Sequence, residues 1–438
     1  MKNDFFDLVD ALSGALHADE VLLCWLSAER SDFVRFNQAR VRQAGSVAQR
    51  YLQLRLIHVR RQAYASVALA GTADDLALCR HTLERLRDTL AQLPEDPWLL
   101  YADNAPSTST ERRGRLPAAD EVVRQVATSA HGIDLAGFYA GGTMCRGFAS
   151  SLGQRNWHEV DSFNFDWSVH LQGDKAVKDG YAGFDWDTGA FEARLADSAE
   201  RLQLMRGRGR TLEPGEYRAY LAPRAVEEIT GLLQWGAFSA RNRATRQSPL
   251  LRMEAEEKLS PKVTLMENIA EGVAPSFQED GYLRPPSVKL IAEGALADAL
   301  TSPRSAREYG LQPNGANARE APEALDLAAG ELEQSDILTA LDTGLYIGNL
   351  WYLNFSDRPA ARMTGMTRFA TFWVERGRIA APATPMRFDD TLYRMLGSEL
   401  VDFTRSRELL LSTSTYDERS TASSHLPGAL LRSLRFTL

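Results

Sequence analysis

Cysteine and histidine, the residues that most often bind transition metals, are scarce in this sequence. The 438 residues include only three cysteines, Cys24, Cys79 and Cys145, which are widely spaced and form no Cys-x-x-Cys pair. After Leu171 there is no cysteine, and the only histidine is His425. Zinc, copper and iron–sulfur clusters need thiolate or imidazole ligands, so such a site cannot be built within the C-terminal half alone. We therefore expect no bound metal and no cofactor.

Segments for export or membrane insertion are also missing. Asp4, Asp7 and Asp10 interrupt the stretch that an export signal would keep apolar. The least polar later stretch, Ile337–Phe355, contains Asp342 and is shorter than the roughly 20 apolar residues that span a bilayer. Isolated cysteines are typical of a reducing compartment. We expect a cytoplasmic protein without a membrane segment.

Several common functional motifs are absent as well. The net charge of -8 would repel phosphate backbones, so we expect no direct nucleic-acid partner. There is no Gly-x-Ser-x-Gly of a serine hydrolase and no phosphate-binding Gly-rich loop. No second histidine follows His158-Glu159 at the spacing of a zinc-peptidase helix. We interpret that pair as exposed polar residues.

What is present indicates a folded α+β protein of two domains. The chain is 44% hydrophobic and 25% charged, values typical of globular proteins. Its length exceeds what one hydrophobic core usually supports. A Gly- and Arg-rich stretch, Met205–Glu216, interrupts the helix and strand patterns. We place the boundary there, with an N-terminal α+β domain at 1–210 and a C-terminal β-rich domain at 211–438.

The N-terminal pattern predicts an antiparallel sheet covered by long helices. In Tyr51–Val59, leucines at every second position alternate with Gln53 and Arg55, which indicates a half-exposed strand. Between Thr72 and Leu93, apolar residues recur at steps of three and four, which predicts one long amphipathic helix. Pro94 would end that helix.

The C-terminal pattern predicts mostly short strands with a few helices. A helix is expected from Pro223 to about Ala240, and Gly and Pro punctuate the segments that follow it. The segment Asn314–Gln334 is rich in Ala, Glu and Asn, so we expect an excursion or a mobile loop.

Two blocks of the C-terminal half resemble the TldD/PmbA family, also called the modulator-of-gyrase family. The first, MTGMTRFATFWVERGRIAAPATPMRFDDTLYRMLG at Met363–Gly397, is similar to the family's pattern of a Thr-Gly, a strand ending in a Glu-x-Gly turn, a strand with proline and a short helix. The second, Met266–Leu300, is similar to its acid-Gly turn followed by a strand. The resemblance covers most of the chain and is specific only after about Tyr217.

The resemblance implies a member that lacks the metal. TldD-type members carry His-Glu-x-x-x-His on the first helix of the C-terminal domain and a later cysteine, and they bind a catalytic metal. An ungapped match places Glu227 and Leu232 at the two histidine positions and keeps Glu228 as the acid. The chain therefore looks like the PmbA or TldE type. That type is the metal-free partner of a TldD-type subunit in a peptidase for small, unfolded peptides.

An aromatic block supplies the candidate residues for contact with a substrate or partner. Leu345–Arg358 contains Trp351, Tyr352 and Arg358, and Arg368 follows on the next predicted strand. Trp, Tyr and Arg dominate binding hot spots, which favours an interface or a peptide-lining surface. A buried β-core is the competing interpretation of the same block.

Three functions remain open from the sequence. The first is the metal-free subunit that pairs with a TldD-type peptidase subunit or with itself. The second is an autonomous hydrolase with a non-zinc site, in which Glu228 is the only candidate for a catalytic residue. The third is a homodimer that binds a peptide or small molecule without cleaving it.

Overall fold

The computed structural model describes residues 1–171 and 175–437 and confirms the α+β class. The first sheet has strand order β3-β2-β1-β5-β6-β4, with β7 paired to β6. Its strands are antiparallel except for the parallel pair β4 and β6. The strands are β1 (Glu20–Asn37), β2 (Arg40–His58), β3 (Arg61–Ala68), β4 (Thr108–Arg112), β5 (Asp134–Ser150), β6 (Arg155–His170) and β7 (Ala176–Gly183).

The second sheet is mixed and contains the C-terminal strands. Strand β18 lies near its centre, parallel to β12 and antiparallel to β8 and β17. The strands are β8 (Gly215–Leu221), β9 (Leu265–Glu267), β10 (Val288–Ala292), β11 (Ala295–Leu296), β12 (Ala324–Leu327), β13 (Gly344–Asp357), β14 (Arg362–Glu375), β15 (Arg378–Pro382), β16 (Arg387–Thr391), β17 (Leu400–Leu411) and β18 (Ser423–Phe436).

Helices pack against both sheets and connect the strands. In addition to the α-helices there is a 3₁₀ turn at Gln334–Asp336 and a π turn at Arg394–Ser398. The helices are α1 (Lys2–Ser13), α2 (Asp74–Leu90), α3 (Ala119–Ser129), α4 (Thr188–Leu204), α5 (Pro223–Leu233), α6 (Ala240–Ala244), α7 (Leu251–Glu254), α8 (Pro303–Tyr309) and α9 (Ile337–Leu341). No helix among the described residues is long and apolar enough to span a membrane.

The predicted amphipathic patterns produce the first core. Leu52, Leu54 and Leu56 of β2 are fully buried, and α2 packs against them with Leu83 and Leu86. Helix α1 joins the same apolar cluster. The apolar face of the strands, which comes from alternation with period two, thus packs against the apolar face of α2, which comes from the helical period. The opposite face of β1, β2 and β3 is left for other contacts.

The two sheets are in direct apolar contact. Phe372 of β14 is fully buried in the aromatic cluster formed by the first sheet with α3 and α4. A smaller cluster joins Met144 and Val160 of the first sheet to Val273 and Leu411. The first sheet ends at β7 and the second begins at β8, on either side of residue 210. The boundary at that residue itself stays a prediction.

Two predictions about the C-terminal half are wrong. Helix α5 ends at Leu233 instead of near Ala240, because the chain turns at Gly236, whose φ is +86°. The segment Asn314–Gln334 is not a mobile loop, since it contains the fully buried strand β12. Glu320, in the same segment, is also fully buried and accepts hydrogen bonds from backbone and hydroxyl donors.

Candidate functional site

A cleft of about 1060 Å³ lies between the open face of the first sheet and the loops of the second. Strands β1, β2 and β3 form its floor through Trp25, Ser27, Arg55 and Tyr64. These side chains alternate with the buried core residues, so the strand period that builds the core also points polar and aromatic groups into the cleft.

A tight turn from the C-terminal half, Gln278–Gly281, forms one wall. The Gly281 N–H donates to the Gln278 carbonyl at 2.9 Å, and the Gly281 carbonyl accepts from Gln154 Nε2 at 2.7 Å. Phe277, just before the turn, is fully buried and packs edge-on against Trp25 with ring centroids 5.7 Å apart. The first sheet therefore fixes the turn in place.

Charged side chains of both signs line the cleft. Most of them form ion pairs. An ion pair that is partly shielded from water is stronger than a fully exposed one. The pairs are Arg55 with Asp280, Arg304 with Asp96, Arg146 with Glu418 at 3.2 Å, and Arg284 with Glu323 at 2.8 Å.

Aromatic rings stand at the rim of the cleft. Tyr64, Trp235 and Tyr416 line it and are 67%, 55% and 88% exposed. Exposed rings around a cavity offer a ligand apolar and cation–π contacts. The cleft thus combines an ordered polar floor with an aromatic edge.

The loop 412–422 leaves the second sheet and crosses the cleft. Arg419 anchors it to the first sheet. This side chain is 5% exposed. It donates to the Ser162 carbonyl at 3.0 Å, to Ser162 Oγ at 2.9 Å and to the Gly142 carbonyl at 3.3 Å. Burial lowers the pKa of Arg419, while the nearby carboxylate of Glu29 opposes that effect. The loop therefore has a fixed position over the sheet.

Helix α5 lies at the other end of the contact between the sheets. Its first turn presents Arg224 to three carboxylates, with nitrogen to oxygen distances of 3.6 Å to Asp166, 3.5 Å to Asp179 and 3.9 Å to Glu408. Neither Arg224 Nε nor Asp166 Oδ1 has a hydrogen-bond partner among the described residues. Lys178 also lies 3.5 Å from Asp166, and Arg194 lies 2.7 Å from Glu408, so these carboxylates share three cations.

The two glutamates of α5 titrate abnormally in this surrounding. Desolvation by the protein, opposed by Arg224 and reinforced by Glu228 and Glu408, raises the pKa of Glu227 to about 7. Desolvation also raises the pKa of Glu228, and the positive charge of Lys178 opposes this shift. The Glu228 side chain remains accessible to solvent. A carboxyl such as that of Glu227 can exchange protons near neutral pH.

The residues present do not fit the metal that the family motif would bind. Leu232 is 4% exposed and packs in the main core of the second sheet. Glu227 lies in the charge network of Arg224. Across residues 1–171 and 175–437, no group of three or more His, Cys, Asp or Glu is arranged to hold a metal ion.

The predicted contact residues lie on the surface of β13 and β14, outside the cleft. Trp351 and Tyr352 are 46% and 79% exposed, and the Arg368 guanidinium lies 4.2 Å from the Trp351 ring centroid. The interpretation of this block as a buried β-core is therefore wrong for these two rings. We call the group formed by Trp351, Tyr352, Arg368 and Phe369 the aromatic hairpin.

Arg358 connects the strand that carries the aromatic hairpin to the end of α5. Its guanidinium donates to the Trp235 carbonyl and, at 3.1 Å, to the Gln247 carbonyl. Trp235 itself lines the cleft. Arg358 therefore has a structural contact next to the cleft, and its role toward a ligand or partner stays a prediction.

The interpretation of His158-Glu159 as exposed is wrong. His158 is 9% exposed, and its Nε2 donates to the Val273 carbonyl at 2.9 Å while Nδ1 accepts from the Thr110 hydroxyl at 3.0 Å. Desolvation lowers the pKa of His158 to about 4. Glu159 pairs with Arg113 at 2.6 Å. Contacts with Thr110 of β4 and with the Val273 carbonyl hold the histidine in a buried position, and a reading of β6 alone cannot show this.

Two residues of the cleft region had no assigned role in the sequence. Glu279 belongs to the acid-Gly turn noted within Met266–Leu300, so a local signal existed without a function attached to it. Arg419 has no local signal, because its partners Ser162 and Gly142 are far away in the chain.

Comparison with known proteins relates the C-terminal half to one family. The profile described as the PmbA/TldA metallopeptidase C-terminal domain matches residues 214–437, slightly more than half of the chain. No curated protein shows significant similarity.

Three solved structures share the fold over nearly the whole chain, and at their identity the likeness shows the fold alone. They are a proposed modulator of a DNA gyrase from Thermotoga maritima (TM-score 0.79, 13% identity, 100% of both chains), TldE from Thermococcus kodakarensis (0.79, 13%, 99% of this chain and 100% of that one), and a proposed modulator of DNA gyrase from Bacteroides thetaiotaomicron (0.75, 14%, 99% and 97%).

Proposed function

Because the chain belongs to the PmbA/TldD metallopeptidase family, we propose that it is a metal-free subunit of the TldE type, which supports the proteolysis or maturation of small unfolded peptides. The observation that carries this proposal is the composition of α5. In the ungapped match to TldD-type members, Glu227 and Leu232 take the places of the two histidines, and Leu232 is buried in the core. An acid such as Glu228 has little to deprotonate without a metal-bound water.

The cleft supports a role in holding peptide. Its volume of about 1060 Å³ is at the upper end of ligand pockets, and an extended peptide needs only about 3.3 Å of length per residue. The aromatic rim offers contacts that suit many side chains, whereas the paired charges beneath it restrict orientation. Such a surface can bind unfolded segments without a catalytic group of its own.

The aromatic hairpin supports a role in assembly, with a TldD-type subunit or a second copy of this chain as partner. Tyr352 and Phe369 have φ of +58° and +59°, a conformation that costs a bulky residue about 1–2 kcal/mol. Phe369 is half-buried, but strain of this kind at Tyr352, which is 79% exposed, points to a function at the surface. Rings flanked by arginine are also typical interface anchors.

A metal-free homodimer that binds peptide without cleavage is the second candidate. The same two observations favour it, since a cleft and an exposed aromatic surface occur on one chain. We propose a cytoplasmic location for either case, because Cys24, Cys79 and Cys145 are free and buried. The net charge of -8 favours no direct nucleic-acid partner.

Elemental analysis and a peptidase assay of the isolated chain test the metal-free assignment. We expect well below one zinc or iron per chain, and no hydrolysis of a fluorogenic unfolded peptide. Glu228→Gln should leave both results unchanged. The control Glu256→Gln, at an exposed position in the loop after α7, should also leave them unchanged. One tightly bound metal per chain, or a basal activity that disappears only in Glu228→Gln, would show instead that the chain is an autonomous hydrolase.

A further inference from the structure

The turn Gln278–Gly281 presents a carboxylate to the cleft from a fixed backbone. Glu279 is the second residue of the turn, and it lines the cleft together with Gln278 and Asp280. Asp280 is held by its ion pair with Arg55, and the Asp280 carbonyl accepts from the Ala102 N–H at 2.8 Å. The neighbours of Glu279 are therefore immobilised while its own side chain is exposed.

Glu279 is the acidic residue of the cleft whose charge is not matched by a contact. The other four lining acids each have an arginine within 4.0 Å. In the described part of the chain, the Glu279 carboxylate has no ion pair and accepts no side-chain hydrogen bond. Desolvation and the adjacent Asp280 carboxylate raise the pKa of Glu279, and the more distant charges of Arg55 and Arg319 oppose this shift, so a cation in direct contact with Glu279 would further favour its charged form.

A second group in the turn also lacks a partner. Gln278 is 2% exposed, and its Oε1 accepts from the Asp280 N–H. Its Nε2 is buried and has no hydrogen-bond partner among the residues that the structure describes. An unsatisfied buried donor costs about 1–3 kcal/mol, so an acceptor from a ligand would be favourable there. Because this nitrogen is shielded from solvent, the ligand must displace a neighbouring side chain to reach it.

We propose that the turn Gln278–Gly281 recognises a primary ammonium group of the peptide in the cleft, with the Glu279 carboxylate as its acceptor. This inference rests on the proposed peptide-binding function and specifies its ligand. An α-ammonium group lies two bonds from the carbonyl carbon of its own residue, so Glu279 can accept from the ammonium while Gln278 donates to a peptide carbonyl. A lysine side chain supplies the same ammonium chemistry, and the experiment below distinguishes the two sources.

Three fluorescent peptides test the proposal with the full chain at pH 7. The first is a ten-residue peptide of Gly, Ser and Leu with a free N-terminus and a C-terminal dye. The second is its N-acetylated form, and the third is the acetylated form with one central lysine. Fluorescence anisotropy gives the Kd of each peptide for the wild-type chain, for Glu279→Gln and for the control Glu271→Gln. Glu271 is an exposed acid of the same half that does not line the cleft.

We expect the free N-terminus to bind at least tenfold more tightly than the acetylated peptide to the wild-type chain and to Glu271→Gln. Glu279→Gln should reduce this preference to less than twofold without weakening the acetylated peptide. The proposal would also be supported if the acetylated lysine peptide bound the wild-type chain as tightly as the peptide with a free N-terminus and lost that affinity in Glu279→Gln. This result would show that a side-chain ammonium is sufficient for recognition. Equal binding of all three peptides to the wild-type chain would overturn the inference and leave peptide binding intact. Absence of binding by every peptide would contradict the proposed function itself.

Discussion

Tyr352→Gly removes the most exposed ring of the aromatic hairpin and leaves a backbone that glycine adopts readily. The ring is 79% exposed, so its loss sacrifices little buried area. Relief of the left-handed strain gains about 1–2 kcal/mol, and the added freedom of glycine in the unfolded chain costs about 0.5–1 kcal/mol. The free energy of unfolding of the monomer should therefore rise by between about 0 and 1.5 kcal/mol.

Association should respond differently if the ring anchors an interface. A hot-spot residue contributes about 2 kcal/mol or more, which corresponds to a rise in Kd of about 30-fold. Sedimentation equilibrium of the isolated chain, and of its mixture with a TldD-type subunit, gives this Kd, and urea unfolding followed by circular dichroism gives the stability. Tyr416→Ala is the control, since Tyr416 is 88% exposed and belongs to the cleft loop. An unchanged Kd in both samples, or a loss of about 3–5 kcal/mol in stability as expected for a core aromatic residue, would show that Tyr352 is not an interface anchor.

Two further predictions concern the contacts between the sheets. The pKa of Glu227 is raised from 4.5 to about 7, so the native state binds the extra proton and the stability contributed by Glu227 is lost as pH rises between these values. Glu227→Gln should therefore be more stable than the wild-type chain at pH 8, by up to about 2–3 kcal/mol, and nearly equal at pH 5, as measured by urea unfolding at both values. Arg419→Met should lower the free energy of unfolding by about 3 kcal/mol, because Ser162 and Gly142 lose a charged donor. A change below about 1 kcal/mol would show that Arg419 does not anchor the cleft loop.

The features that sequence predicts well here are those with a local period. The alternation of β2 and the three-and-four spacing of α2 each depend on one continuous segment, so both elements appear where the pattern places them. The segment Asn314–Gln334 has no such period, because the burial of β12 comes from pairing with β9 and β18, far away in the sequence. Propensity cannot show that a short polar segment will be covered by distant strands.

The candidate site also depends on contacts between residues that are distant in the sequence. The aromatic hairpin was recognisable from its composition, but the choice between surface and core depended on φ angles and bulges in β13 that no residue pattern specifies. Glu279 was part of a visible motif, yet its chemistry depends on which neighbouring acids find an arginine. Those pairs join residues from both sheets, as with Arg55 and Asp280. The absence of histidine from α5, in contrast, could be read directly.

We propose that this chain assists a metal-bearing partner and is not itself a peptidase. In a reconstitution experiment, hydrolysis of an unfolded peptide is measured for a TldD-type subunit alone, for this chain alone, and for the equimolar mixture, each after metal analysis. We expect cleavage only in the mixture, with all of the bound metal in the TldD-type subunit. Equal cleavage by that subunit in the absence of this chain would show that this chain is not required for peptidase activity.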